Sequence, residues 1–193
     1  MSLSEVKPLG TVTALIKERR TIRDFKQDPV SDELLLELLN VAVWAPNHGN
    51  RQPWRFVLYK GDGRQVLADA MLQSYDDDEM REKHGIPKWN DFMKIPAHLV
   101  VILKEDTRQK QWDEDYGAVC ALIQNFQLAA WEQGLGVVWK TNNYNYEAEF
   151  QQVVGLEADE KIVGVLHVGY PASIPKVQPR KSAEDMLTII DSK

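Results

Sequence analysis

The chain has one cysteine in 193 residues, Cys120. That excludes an internal disulfide and any cysteine-built metal cluster. Cys120 also lies in an apolar helical run, where it reads as a small buried hydrophobe rather than a nucleophile. The four histidines, His48, His84, His98 and His167, are scattered, and none forms a paired spacing such as HExxH, so no metal site is expected. His98 and His167 fall within apolar strands and read as packed or hydrogen-bonded core residues. A GxSxG elbow, a phosphate-binding P-loop and a Ser-His-Asp order are all missing. No apolar run reaches the length of a membrane span. Positive charge is not in excess either: 23 Lys and Arg against 29 Asp and Glu leave a net charge of −6. A general attraction to nucleic acid or anionic lipid is therefore not expected, and any phosphate site must be local. With no strong nucleophile, demanding chemistry would have to come from a bound cofactor.

What remains is an ordinary globular composition, 44% hydrophobic and 27% charged, at a length that suits one domain, residues 1–193. Residues 1–5 have neither a basic n-region nor an apolar h-region, so a cytoplasmic protein is expected. Thr11 is placed to cap a first helix ending near Arg20, and Ser31 or Asp32 to cap a second whose residues 34–43 are almost wholly apolar, stopped by Pro46. A strand over 56–59 closes at Gly61-Asp62-Gly63. This is where a dinucleotide fingerprint would lie, but Val66 occupies its third glycine position and a simple turn accounts for both glycines. A helix over 64–73 should face Val66, Ala70 and Met71 inward. Residues 74–95 change character: an acidic patch and the breakers Gly85, Pro87 and Pro96 predict irregular chain, a possible excursion over an active site. Strands are expected over 97–104, 137–140 and 162–170, a long central or interface helix over 116–131, and a short helix over 147–154 closed by Gly155. Pro171, Pro175 and Pro179 then make an extended arm over 171–193. The elements do not alternate regularly, so the expected fold class is α+β, a small mixed or antiparallel central sheet flanked by helices.

Two segments carry the chemistry. Arg19-Arg20-Thr21-Ile22-Arg23-Asp24-Phe25 crowds three arginines and a hydroxyl at a helix end. Guanidinium forks beside a hydroxyl match phosphate or ribityl oxygens, although cations at a helix C-terminus also simply complement the helix dipole. Ala45-Pro46-Asn47-His48-Gly49-Asn50-Arg51-Gln52-Pro53-Trp54-Arg55-Phe56 offers amide and imidazole groups beside an indole, in a loop that ordinary turn chemistry could also explain.

In this order the two segments resemble the nitroreductase family of FMN-dependent oxidoreductases, in its small bacterial branch with Ala-Pro-Asp/Asn-His. Gly134-Leu135-Gly136 leading to Trp139-Lys140-Thr141 is similar to the family's segment under the flavin. Residues 162–171 resemble its last strand and exit, and Pro179-Arg180-Lys181 its basic tail. The resemblance implies a nitroreductase-like fold as an intertwined homodimer with FMN at the interface and no nucleic-acid or membrane partner. By position, Arg19, Arg20 and Thr21 would hold the FMN phosphate and ribityl chain, with Arg180 and Lys181 completing the grip. Arg23 would approach the pyrimidine edge and tune the reduction potential; no residue is expected to act as a catalytic acid or base. Trp139, Lys140 and Thr141 would flank the ring, while Trp44, His48 and Asn50 would serve the partner's flavin. The implied activity is hydride transfer from NAD(P)H through flavin N5 to an oxidised small-molecule acceptor such as a nitroaromatic or quinone, with ping-pong kinetics. A non-catalytic FMN carrier, or a flavin-dependent dehydrogenase or dehalogenase of the same family, is the alternative that the residues leave open.

Overall fold

The computed structural model describes residues 11–191. The reading of residues 1–5 lies outside the described residues, as does the side chain of Thr11. The chain forms α1 (Thr11–Glu18), α2 (Asp32–Ala42), β1 (Trp54–Lys60), α3 (Gly63–Gln73), the single turn α4 (Asp78–Met80), α5 (Ile86–Lys94), β2 (Ala97–Lys104), α6 (Gln109–Glu132), β3 (Gly136–Lys140), α7 (Ala148–Val154) and β4 (Glu160–Gly169). The four strands make one sheet in the order β1-β2-β4-β3, antiparallel at every ladder. Its one parallel contact among the described residues is an isolated bridge from Thr21 to Val137.

Helices cover both faces. On one, Leu35 and Leu38 of α2 and Leu122, Ile123 and Phe126 of α6 pack on Leu99, Val101 and Leu103 of β2. On the other, Leu67 and Met71 of α3, Phe92 of α5 and Phe150 of α7 pack on Val100, Ile102 and Val165. Residues buried on both faces explain why β2 reads as a continuous apolar run rather than an alternation. Ser31 caps α2, its Oγ accepting from the Leu34 N–H at 3.2 Å, with Asp32 and Glu33 in the first turn to complement the dipole.

Several boundaries differ from expectation for identifiable reasons. α6 begins at Gln109 rather than Tyr116, because its first two turns are polar and carry no apolar stripe to read. Those turns are tied down by the Trp112 indole, which donates to Glu105 at 2.8 Å and stacks on Tyr116 at 5.0 Å. Residues 78–94 are helical rather than irregular, with a widened turn at Arg81–Gly85 between α4 and α5. Pro87 sits in the first turn of α5, where its missing N–H costs nothing. Gly85 is there for contact: a Cβ would lie 2.7 Å from Leu72 Cδ1. This stretch packs on α3, with Phe92 buried and the Trp89 indole donating to Asp69 at 2.7 Å. In α3 itself Val66 faces solvent, and Leu67, Ala68, Ala70 and Met71 are the buried residues.

A bulge in the central ladder sets the phase of everything that follows it. Val101 pairs with Gly164 and Ile102 with Ile162, leaving Val163 with no opposite residue. The Trp139 indole donates to the Val163 carbonyl at 3.1 Å, and it lies so close over Gly164 that a Cβ there would come within 2.1 Å of Nε1. Because a one-residue insertion exchanges the two faces of a strand, Leu166 and Val168 join the α2/α6 core. His167 is thereby turned to the face of Val165. Beyond β4 the chain runs exposed through residues 172–191, with one short turn at Ala183–Met186.

Candidate active site

The arginine segment is positioned by the edge strand β3. The Ile22 N–H donates to the Val137 carbonyl at 3.2 Å, and Ile22 is fully buried against Gly136, where a Cβ would collide at 2.5 Å. The exit of β4 secures the far end: the Lys26 N–H donates to Tyr170 O at 2.8 Å and the Ala172 N–H to Asp24 O at 3.0 Å. With Ile22 pinned inward, its arginine neighbours line two clefts that have Arg23 in common.

The first cleft, about 700 Å³, lies between the end of α1 and the C-terminal arm. Among the described residues six cations line it, Lys17, Arg19, Arg20, Arg23, Lys176 and Arg180, together with Thr21 and no carboxylate. Arg20 donates to the Lys17 and Arg19 carbonyls at 2.6 and 2.7 Å, so part of its role is to satisfy the helix end. Arg19 reaches Gln127 Oε1 at 3.3 Å, but its Nε is buried without a partner among the described residues. Burial holds the Arg19 guanidinium below its ordinary pKa, and the charges of Arg20 and Arg180 add to the effect. A buried donor among repelling cations is a site in want of an anion.

The second cleft, about 370 Å³, shares Arg23 with the first. Phe25, Phe92, Ile95 and Val138 give it apolar walls, and Lys88, Lys140, Asn142 and His167 supply polar groups. His167 stands opposite His98 across the β2/β4 ladder, Nδ1 to Nδ1 at 2.6 Å, and His98 Nε2 meets the Phe92 carbonyl at 3.0 Å. A carbonyl only accepts, so His98 carries its proton on Nε2 and presents a lone pair at Nδ1. His167 must then donate from Nδ1, which leaves its Nε2 as an acceptor. Burial pushes His98 down to about 4 and His167 well below the usual histidine range, so both are neutral near pH 7. Among the described residues no cluster of side chains could hold a metal ion.

The profile described as "Nitroreductase family" matches residues 16–170. The chain belongs to the nitroreductase family. A solved nitroreductase-like family protein from Bacillus cereus is 46% identical, with a TM-score of 0.90 over 94% of this chain and 97% of that one. YfhC of Bacillus subtilis, provisionally named an NAD(P)H nitroreductase, is 35% identical over 90% of this chain and 91% of its own length. A provisional nitroreductase from Desulfovibrio desulfuricans, solved in complex with FMN, is 26% identical with a TM-score of 0.73, covering 93% of this chain and 97% of that one. The α+β fold and the oxidoreductase class read from the sequence are those of this family.

Within the nitroreductase fold the expected site residues divide into three groups. Arg19, Arg20, Thr21, Arg23 and Arg180 are gathered around the first cleft, and Lys181 follows them, exposed, on the arm. Lys140 lines the second cleft, whereas Trp139 lies on the opposite face of β3 as the latch of the bulge, so the two do not flank one space. Thr141 lines a third, adjoining cleft of about 440 Å³ with Asn142, Tyr144 and Lys88. Trp44, His48 and Asn50 line none of the three. Trp44 is 86% exposed, His48 Nδ1 lies 4.0 Å from Glu114, and Asn50 accepts from Gln52 Nε2 at 3.2 Å.

Sequence reasoning gave no role to Arg51, which anchors that loop: its Nε and Nη2 donate to the buried Asp115 Oδ2 at 3.2 and 3.0 Å. It also missed the place of Lys88 and Asn142 beside the cleft. The apolar pattern gives His167 only a place in the core, because the bulge that turns it leaves no mark in that pattern. Cys120 is half-buried, and burial pushes its thiol up, as a packing role requires.

Proposed function

We propose that the chain is an FMN-dependent oxidoreductase that passes hydride from NAD(P)H to a flat oxidised acceptor such as a nitroaromatic or a quinone. The observation that carries this reading is the first cleft, lined among the described residues by six cations and no carboxylate, with the Arg19 Nε unpartnered among them at its wall. Its donor set fits a phosphate, since guanidinium forks and a hydroxyl match phosphate oxygens and an anion would remove the repulsion among Arg19, Arg20 and Arg180. The apolar walls of the second cleft, which shares Arg23 with the first, fit a flat ring on the same molecule. The FMN of the Desulfovibrio relative and the NAD(P)H in the name of YfhC support the same pairing.

When bound, FMN accepts a hydride from NAD(P)H and hands two electrons to the acceptor. For a nitro group the balance is one NAD(P)H and one proton consumed, and one nitroso group, one NAD(P)+ and one water formed. The protein's own contribution is placement and field. Arg19, Arg20, Thr21 and Arg180 hold the phosphate end, and Arg23, common to both clefts, favours negative charge on the ring side. Phe25, Ile95 and Val138 offer the ring an apolar wall.

The same reading makes the protein a homodimer, with Trp44, His48 and Asn50 completing the partner's site. Exposed apolar side chains support it: Leu36, Val41 and Trp44 at α2, and Ile174, Val177, Leu187, Ile189 and Ile190 on the arm. Donor and acceptor share one face of the ring, so initial-rate plots at varied NAD(P)H and acceptor should be parallel. Intersecting lines would contradict the shared site.

A further inference from the structure

We propose that His167 reads the imide edge of the flavin, its Nε2 accepting the hydrogen bond that the ring's N3–H donates, with His98 as the positioning residue that fixes the tautomer. The inference rests on the oxidoreductase reading above and adds to it the side chain that orients the ring. An imide carries one N–H between two carbonyls, so its edge needs one hydrogen-bond acceptor from the protein and donors beside it. Lys88 and Lys140 line the second cleft and can only donate, which suits the carbonyls. The acceptors of that cleft differ sharply in burial. Asp24, Gln27 and Asp91 are exposed, where water serves them, and Asn142 is only half-buried, its Nδ2 donating to Tyr144 Oη at 3.0 Å. His167 is 2% exposed, the one buried polar side chain among the described residues that line the cleft.

A chain of bonds sets what His167 offers there. The Phe92 carbonyl takes the His98 Nε2–H at 3.0 Å, and His98 Nδ1 then takes the His167 Nδ1–H at 2.6 Å. The lone pair of His167 is therefore on Nε2, and among the described residues no protein donor is bonded to it. Phe92 also stacks on His98 at 4.8 Å and sets its edge to His167 at 5.0 Å, so close packing resists the turning of either ring. Both imidazoles stay neutral near pH 7, and no proton takes the lone pair. The opposite tautomer would set the two Nδ1 lone pairs against each other and point Nε2–H at N3–H. His98 excludes it without touching the ring. A buried acceptor that water cannot serve is costly to leave unmatched, so the preference for a ring edge with an N–H follows.

The test is nitrogen-15 NMR of the unaltered protein with labelled histidine, before and after loading with labelled FMN. The free protein should show His167 Nε2 without a proton, and the loaded protein a scalar coupling across the hydrogen bond between flavin N3 and that nitrogen. His167→Phe, which serves also to assign the signal, should abolish the coupling and weaken FMN by about tenfold, the size of one buried hydrogen bond. His98→Phe should let the His167 tautomers mix in the free protein and weaken FMN by a smaller factor. A proton on His167 Nε2, or bound FMN whose N3 shows no coupling to an imidazole, would overturn the inference and leave the oxidoreductase reading intact. Failure to bind FMN would overturn that reading and this inference with it.

Discussion

Replacing Arg19 by methionine should separate what the residue does for the fold from what it does for the ligand. Methionine keeps the apolar stem and removes the charged head. Among the described residues the buried Arg19 Nε has no partner, a deficit of about 1–3 kcal/mol, and Arg20 and Arg180 repel the charge. Against that relief stands the buried Gln127, whose Oε1 loses its 3.3 Å partner at a cost of about 1–3 kcal/mol. The two terms are of the same size, so the apo variant should melt close to the temperature of the parent. FMN binding, by contrast, should lose a charge-assisted contact of about 1.5–3 kcal/mol, or roughly tenfold to a hundredfold in Kd. Quenching of FMN fluorescence measures the second quantity and thermal unfolding followed by circular dichroism the first. Unchanged FMN affinity in a folded variant would remove Arg19 from the site. A large drop in apo stability would show that the cluster is structural and does not await an anion.

Three further outcomes follow from the packing. His98 and His167 stay neutral in the fold while the unfolded chain protonates near about 6.5. Their contribution is thus complete above that pH and lost as pH falls from there toward about 4, the folded value of His98. Proton NMR should find two imidazoles that do not titrate above pH 5, and a resonance of either shifting near 6.5 would refute the pairing. Arg55 donates to Glu160 at 2.6 Å, and this bond first of all holds the carboxyl below its ordinary pKa. Glu160→Gln should cost about 1.5–3 kcal/mol at pH 7. That difference should persist above about pH 4.3 and fade as pH drops through the folded value of Glu160, read from urea midpoints. A cost that is the same at pH 3 and pH 7 would contradict it. Gly164→Ala should destabilise by about 1–3 kcal/mol, because its Cβ would meet the Trp139 indole. Trp139→Phe in the same chain should recover part of that loss, and no recovery would separate the two residues.

Where the fold obeyed local rules, it was readable from the residues. The apolar run of β2 reads as a strand of the same limits, the stripe of α6 as a buried helix, and Gly155 as the left-handed stop of α7. The arginine segment was equally plain, since four polar side chains in five positions have few uses. What escaped was set by contacts between distant residues. Gly85 and Pro87 look like breakers in isolation, yet one fits beneath Leu72 and the other begins α5. The β4 bulge depends on Trp139 from a neighbouring strand, so neither the separation of Trp139 from Lys140 nor the turn of His167 toward the cleft could be read along one segment. Lys88 has no local signature at all; α5 must fold over Tyr144 before its charge has a place.

The central claim is that the two clefts that share Arg23 hold FMN for turnover with a nicotinamide donor. The most direct test is the visible absorption spectrum of the FMN-reconstituted protein, recorded before and after anaerobic addition of NADH or NADPH. The account predicts flavin bands that bleach with at least one nucleotide and return when an oxidised acceptor is added. Bands that persist with both nucleotides, or a protein that stays colourless in the presence of FMN, would contradict it.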